Sequence, residues 1–306
     1  MYLFDRSTNI GRLELSDQDR FKLLHNMTTQ DFNTIQAGEG RSAVLTTALA
    51  RIIDQVFVYH RGESALLLTH HPQRVRGWLQ RHIFFNDKVR LRDVTAELGQ
   101  LELYGSDASQ AVNDLAPGAT NLKLHQCIEA NGFFVAAIYP LQGAGYVVIA
   151  PTAQIAALKS QLLSRCQLQE SSAEDYDRLR IHAGLPAPDH ELTEDYIPLE
   201  AGLWDAVSFN KGCYIGQEII ARMESRGKLA KALVKLTAES PIPVGAEITA
   251  QVDGESRSVG TVTSGIDNVA LGFVKPDVAE PGTQVHIGDI IAEVVDAPLL
   301  RTGFTQ

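Results

Sequence analysis

The chain has 306 residues, 44% hydrophobic and 21% charged, enough for two or three globular domains with a sizeable core. Its formal net charge of −10 excludes a general nucleic-acid-coating surface, which needs a basic field, although a local RNA contact stays open. The cysteines Cys127, Cys166 and Cys213 are widely spaced and form no Cys-x-x-Cys pair. Neither a disulfide framework, a metal site nor a self-held iron–sulfur cluster is expected. Residues Met1–Arg12 carry Asp5, Arg6 and Arg12 without an apolar run, and no window approaches 18 uninterrupted apolar residues. The expectation is a cytoplasmic protein with no signal peptide and no membrane span.

In chain order, Ser16 with Asp19 predicts the start of a helix whose apolar face is Phe21, Leu24 and Met27. Short strands are expected at Ala43–Leu49, Gln55–His60 and Ala65–Thr69. Pro72 then opens a helix carrying Val75, Trp78, Leu79 and Ile83. Lys88–Val94 and Gln100–Tyr104 alternate as half-buried strands do. A similar order returns with strands at Gly132–Tyr139 and Gly145–Ala150, followed by a helix after Pro151 carrying Ile155, Leu158 and Leu162. The two strand–strand–helix blocks predict a pseudo-repeat of α+β layers. Ser171 with Glu174 marks another helix, with Tyr176, Leu179 and Ile181 on its apolar side. From Lys228 the pattern changes to short β runs at Leu229–Thr237, Ala246–Val252, Ser258–Ser264, Ala270–Val274 and Gln284–Val295. Turns at Pro241-Ile242-Pro243, Asp253-Gly254 and Pro281-Gly282 separate them, which predicts a small antiparallel barrel or sandwich.

The string Lys211-Gly212-Cys213-Tyr214-Ile215-Gly216-Gln217-Glu218 sets a thiol in a glycine-rich turn ahead of an apolar-periodic segment, Ile219, Ile220 and Met223. A thiol near a helix start is stabilised as thiolate by the unsatisfied N–H groups there, which predicts a reactive Cys213. The competing reading is a small buried hydrophobe. His182 and His190 precede the motif but carry no assigned role.

Together these residues resemble the YgfZ-type folate-binding proteins, relatives of aminomethyltransferase, the T-protein of the glycine cleavage system. The resemblance runs nearly end to end. It covers Leu15–Leu24 with Thr28-Thr29-Gln30-Asp31, Arg51–Val58, Ile197–Leu203, the Lys211–Glu218 string, Val262-Thr263-Ser264 and Leu271-Gly272-Phe273. The Lys211–Glu218 string is the specific part and separates this branch from true aminomethyltransferases. The resemblance implies an α+β fold: two α+β domains, ferredoxin-like and GcvT-like, plus a C-terminal antiparallel β-barrel, around a central folate-binding hole. Residues 1–227 form the folate-binding region in this reading, as two interleaved lobes split near residues 95–130, and residues 228–306 form the barrel.

The implied cofactor is tetrahydrofolate or a one-carbon derivative. Glu191 matches the pterin-binding glutamate, the alternative being a solvated loop carboxylate among Asp189, Glu194 and Asp195. Gln217 stands where the relatives have a folate-binding arginine, so it can hydrogen-bond without supplying charge. Arg222, Arg226, Lys228 and Lys231 form a basic group that suits a polyglutamate tail or RNA phosphate, or equally a solvated helix end. Asp54 matches an aspartate that positions the reactive folate nitrogen, with Gln55 in place of the usual second acid; a strand-end cap is the alternative. Cys213 is the reactive group of the branch, within the motif of Lys211, Gly212, Tyr214, Gly216 and Glu218. The implied role is support of iron–sulfur protein assembly or repair, with iron–sulfur enzymes or assembly factors as partners and an indirect link to tRNA modification. A folate-dependent one-carbon transferase and a non-catalytic scaffold are the rival readings.

Overall fold

The computed structural model describes residues 1–166, 170–227, 229–252 and 254–296. The first part of the chain carries β1 (Tyr2–Asp5), β2 (Gly11–Ser16), α1 (Arg20–Met27), β3 (Gly40–Thr46), β4 (Ile52–His60), β5 (Ser64–Thr69), α2 (Pro72–Gln80), β6 (Arg90–Asp93) and β7 (Leu98–Gly105). It continues with α3 (Ala108–Leu115), β8 (Cys127–Ala130), β9 (Phe133–Ala137), β10 (Ala144–Pro151) and α4 (Thr152–Cys166). There follow α5 (Ala173–Ala183), α6 (Gln217–Arg226), β11 (Ala232–Ala238), β12 (Glu247–Val252), β13 (Glu255–Ile266), β14 (Val269–Val274), β15 (Gln284–Ile287) and β16 (Ile290–Val295). Two compact units emerge: residues 1–46, 53–172 and 206–215 form one, and residues 47–52, 173–205 and 216 onward form the other.

The first unit holds two five-stranded sheets, ordered β3-β4-β5-β2-β6 and β1-β7-β10-β9-β8. The strand period of two sorts their side chains. On β5, Ala65 and Leu67 face α1 and α2, where Leu23, Leu24, Val75 and Leu79 pack, while Leu66 and Leu68 face the other sheet. On β10, Val147 and Ile149 meet that inter-sheet layer, and Tyr146, Val148 and Ala150 pack with α3 and α4. The result is a helix–sheet–sheet–helix stack with three apolar layers. Because β1 pairs with β7 and not with β2, the two lobes interleave in sequence.

In the second unit β11-β14-β13-β12-β15-β16 close into an antiparallel barrel, with β11 pairing both β14 and β16. Leu236, Ile248, Ala270, Val285 and Val294 fill its interior. Closure removes the open edges that a sandwich would leave. The expected single run Gln284–Val295 is a hairpin, broken where Gly288 takes a left-handed φ of 59°. Residues 173–205, which include α5, cluster with the barrel.

Two expected helix starts are corrected. Ser16 is the last residue of β2, paired with Ser64 and Arg90, so α1 begins only at Arg20. Asp19 stands at its N-cap, but its carboxylate accepts from the Lys88 N–H and leaves the helix uncapped by a side chain. Ser171 likewise accepts from the Leu3 N–H instead of capping α5, which begins at Ala173.

Candidate functional site

Lys211 explains why the cysteine motif begins with a lysine. Its ammonium is buried and donates to three carbonyls, those of His25, Thr28 (2.7 Å) and Gln30 (3.0 Å). These follow from the end of α1, where backbone acceptors have no helical partner and a cation is favoured. Thr29 adds a hydroxyl bond to the Ala206 carbonyl at 2.6 Å, and Thr46 bonds the Ile215 carbonyl at 2.6 Å. The Lys211 ammonium also lies 4.8 Å from the Tyr214 ring centroid. Residues 206–215 are thereby stitched to the α1 end and to β3.

Burial pushes the Lys211 pKa down to about 8, with Asp31 pulling the other way. The unfolded lysine holds its proton to about 10.5, so the unfolded chain binds more protons across the window between these values. Stability linked to Lys211 therefore rises with pH there and is lost as pH falls through 8. Urea unfolding is expected to show a gain of about 2 kcal/mol between pH 7.5 and 9.5 relative to Lys211→Gln. Parallel pH curves for the two proteins would refute it.

Cys213 is exposed, so the buried-hydrophobe reading fails. It does not start the helix: α6 begins four residues later at Gln217, and the N-cap is Gly216 at a left-handed φ of 86°. Helix-end electrostatics fade within the first turn, so the expected source of thiolate stabilisation is not at Cys213. Gly212, the residue before it, lies near His25, whose Nε2 stands 3.9 Å from the point a Gly212 Cβ would occupy. His25 Nδ1 lies 3.0 Å from Asp31 Oδ1. Burial first, then the charge of Lys211, lower the His25 pKa, opposed by Asp31.

Asp54, on β4, is 1% exposed. Its Oδ2 accepts from the Thr69 hydroxyl and from the His71 N–H at 3.2 Å. Oδ1 has no hydrogen-bond donor among the described residues, and His71 Nδ1 stands 3.7 Å from it. Gln55 is also buried, its amide donating to Ser42 Oγ at 2.9 Å. The position of the missing second acid is thus a satisfied neutral amide.

In the second unit Glu191 is fully buried, which overturns the solvated-loop alternative. Its Oε1 accepts from Thr263 Oγ1 at 2.6 Å and its Oε2 from the Ala187 N–H at 3.0 Å. Arg180, 3% exposed, brings Nη1 to 3.6 Å from Oε2. Arg180 also donates from Nη2 to Ser264 Oγ and from Nε to Asp177. This buried carboxylate–guanidinium pair was not foreseen, because no local pattern links Arg180 to Glu191 or to the barrel strand bearing Ser264. Gln217 opens α6. Arg222 is exposed and paired with Glu218 at 2.8 Å, an i,i+4 surface pair that leaves both in water. The Arg226 side chain and Lys228 lie outside the described residues. Lys231 sits 4.8 Å over the Tyr196 ring, which stacks on Phe273. The basic group is therefore not a free cluster: Arg222 and Lys231 both have partners.

No cluster of three or more histidine, cysteine, aspartate or glutamate side chains suited to a metal occurs among the described residues. No helix among them is long and apolar enough to cross a membrane. Residues 1–211 match the GCVT N-terminal domain, and residues 231–298 match the C-terminal β-barrel domain of CAF17. A chloroplastic protein of Arabidopsis thaliana, named as a transferase, is 32% identical over 94% of this chain and 68% of its own length. An aminomethyltransferase of Halalkalibacterium halodurans is 26% identical over 98% of this chain and 87% of its own. Among solved structures, the glycine cleavage system aminomethyltransferase T of Bartonella henselae superimposes with a TM-score of 0.85. It covers 97% of this chain and 86% of its own at 22% identity, a likeness of fold.

Proposed function

The chain belongs to the GCVT family, with a CAF17-type β-barrel at its C-terminal side, and on that premise we propose that it binds tetrahydrofolate or a one-carbon derivative and supports iron–sulfur protein assembly or repair. Its link to tRNA modification then runs through iron–sulfur enzymes, and its partners are such enzymes or their assembly factors.

The observation that carries the folate reading is Asp54 Oδ1. A buried carboxylate oxygen without a donor is costly, and a ligand N–H would satisfy it. Tetrahydrofolate supplies such N–H groups and carries one-carbon units when bound. Asp54 would hold and orient its ring, fixed in place by Thr69 and the His71 N–H. Glu191, with both oxygens engaged, fits a supporting role better than direct bidentate contact. The iron–sulfur part rests on the intact Lys211–Glu218 string, the exposed Cys213 and the CAF17-type barrel.

Titration of the whole protein with tetrahydrofolate is expected to saturate, with Asp54→Asn binding at least about tenfold more weakly, the loss of one charge-assisted hydrogen bond. Absence of saturable binding would leave only an interaction scaffold. In cells, Cys213→Ala is expected to abolish support of iron–sulfur enzyme activity. Should Cys213→Ala retain that support while Asp54→Ala destroys it, the second reading takes over: a folate-dependent aminomethyltransferase-like one-carbon transferase. That reading draws on the aminomethyltransferase relatives and on Asp54, and predicts one-carbon release from an aminomethyl donor only when tetrahydrofolate is present.

A further inference from the structure

The Lys211–Glu218 motif has a histidine after all, brought to it from α1. His25 is 8% exposed, and its Nδ1 faces Asp31 Oδ1 at 3.0 Å. The Phe32 N–H also approaches Nδ1, at 3.3 Å. The carboxylate contact is the shorter and involves a charge, so it fixes the tautomer with the proton on Nδ1. Nε2 is then a bare acceptor, with no hydrogen-bond partner recorded among the described residues. It lies 3.9 Å from the point where a Cβ on Gly212 would stand, and that Cβ would meet nothing else within 4 Å. Gly212 thus leaves the imidazole edge uncovered one residue before the exposed thiol of Cys213.

We propose that His25, oriented by Asp31, is the base that deprotonates Cys213, making the motif a thiolate site for exchange with a disulfide from solution. The inference is independent of folate binding. The Sγ proton passes to Nε2, giving a thiolate and an imidazolium stabilised by Asp31. The thiolate attacks one sulfur of an incoming disulfide. A new S–S bond to Sγ forms, the old S–S bond breaks, and its electron pair leaves on the departing thiolate, which the imidazolium protonates. Lys211 bears on this balance through its ammonium, bonded to the His25 carbonyl. It disfavours the imidazolium, while Asp31 opposes that effect. Arg41, bonded to the Asp31 carbonyl, holds the acid's backbone in place. Among the described residues, Lys211 and Asp31 are the charged groups that act on His25. The dyad does for Cys213 what the helix start was expected to do.

The test uses the full chain carrying Cys166→Ser; Cys127 is buried, its thiol pushed up to about 12 by burial. The reaction of Cys213 with 5,5′-dithiobis(2-nitrobenzoate) is followed from pH 5.5 to 9.5. His25→Gln is expected to slow it about tenfold or more at pH 7, and Asp31→Asn to slow it less in the same direction. An unchanged rate–pH profile in folded His25→Gln overturns the proposal. A second readout needs no change at His25: its imidazole titration, read by NMR, is expected to shift when Cys213 becomes serine. The thiolate and imidazolium stabilise each other, so their coupling is reciprocal. Identical titrations with cysteine and serine at 213 overturn the proposal as well.

Discussion

Arg180→Met is expected to destabilise the protein by about 3–5 kcal/mol, the cost of leaving one partner of a buried ion pair without the other. Glu191 is fully buried and, among the described residues, keeps only the Thr263 hydroxyl and the Ala187 N–H when the guanidinium is gone. Asp177 and Ser264 lose a donor at the same time. The pair itself is not a net gain over apolar packing, since both charges have left water. The prediction therefore has a second arm: adding Glu191→Gln to Arg180→Met restores part of the loss by removing the stranded charge. Urea unfolding measures both. A single-variant cost below about 1 kcal/mol, or a double variant less stable than Arg180→Met alone, would contradict the account.

Lys211→Met is expected to cost about 2–4 kcal/mol, because three carbonyls lose their donor inside the structure. The loss is smaller than three full hydrogen bonds, since the ammonium's own desolvation is relieved. Lys211→Arg is expected to rescue it poorly. A planar fork cannot serve three acceptors converging on one point, as a compact ammonium does. The readouts are the urea midpoint and proteolysis within residues 206–215, the stretch that Lys211 fastens. A midpoint unchanged in Lys211→Met would show that Thr29 and Thr46 suffice to hold the segment.

Much of the fold was legible because its signals are local. The continuous apolar runs at Ala65–Thr69 and Gly145–Ala150, Pro72 before α2, and the spacing of Ile155, Leu158 and Leu162 in α4 each report burial within a few residues. β1, β2, β8 and α3 were not foreseen. β1 and β8 have four residues each, too short to display a period, and their place is set by pairing with β7 and β9. Ser16 was misread for a related reason: a serine followed by an acid reads as a helix cap, but here the pairing partners of β2 had already claimed it.

The chain of letters determined the α+β class, the β-rich C-terminal part, the family motif and the residue types offered to a ligand, because composition, periodicity and short spacings are properties of neighbours in sequence. Only the tertiary structure decided what Lys211, His25 and Arg180 do. Lys211 reaches carbonyls at Thr28 and Gln30, 183 and 181 positions away, and Arg180 reaches Ser264, 84 positions on. Burial gives these groups their strength, since a charge removed from water must find its partners wherever the fold brings them. That requirement acts across space, and no window of sequence contains it.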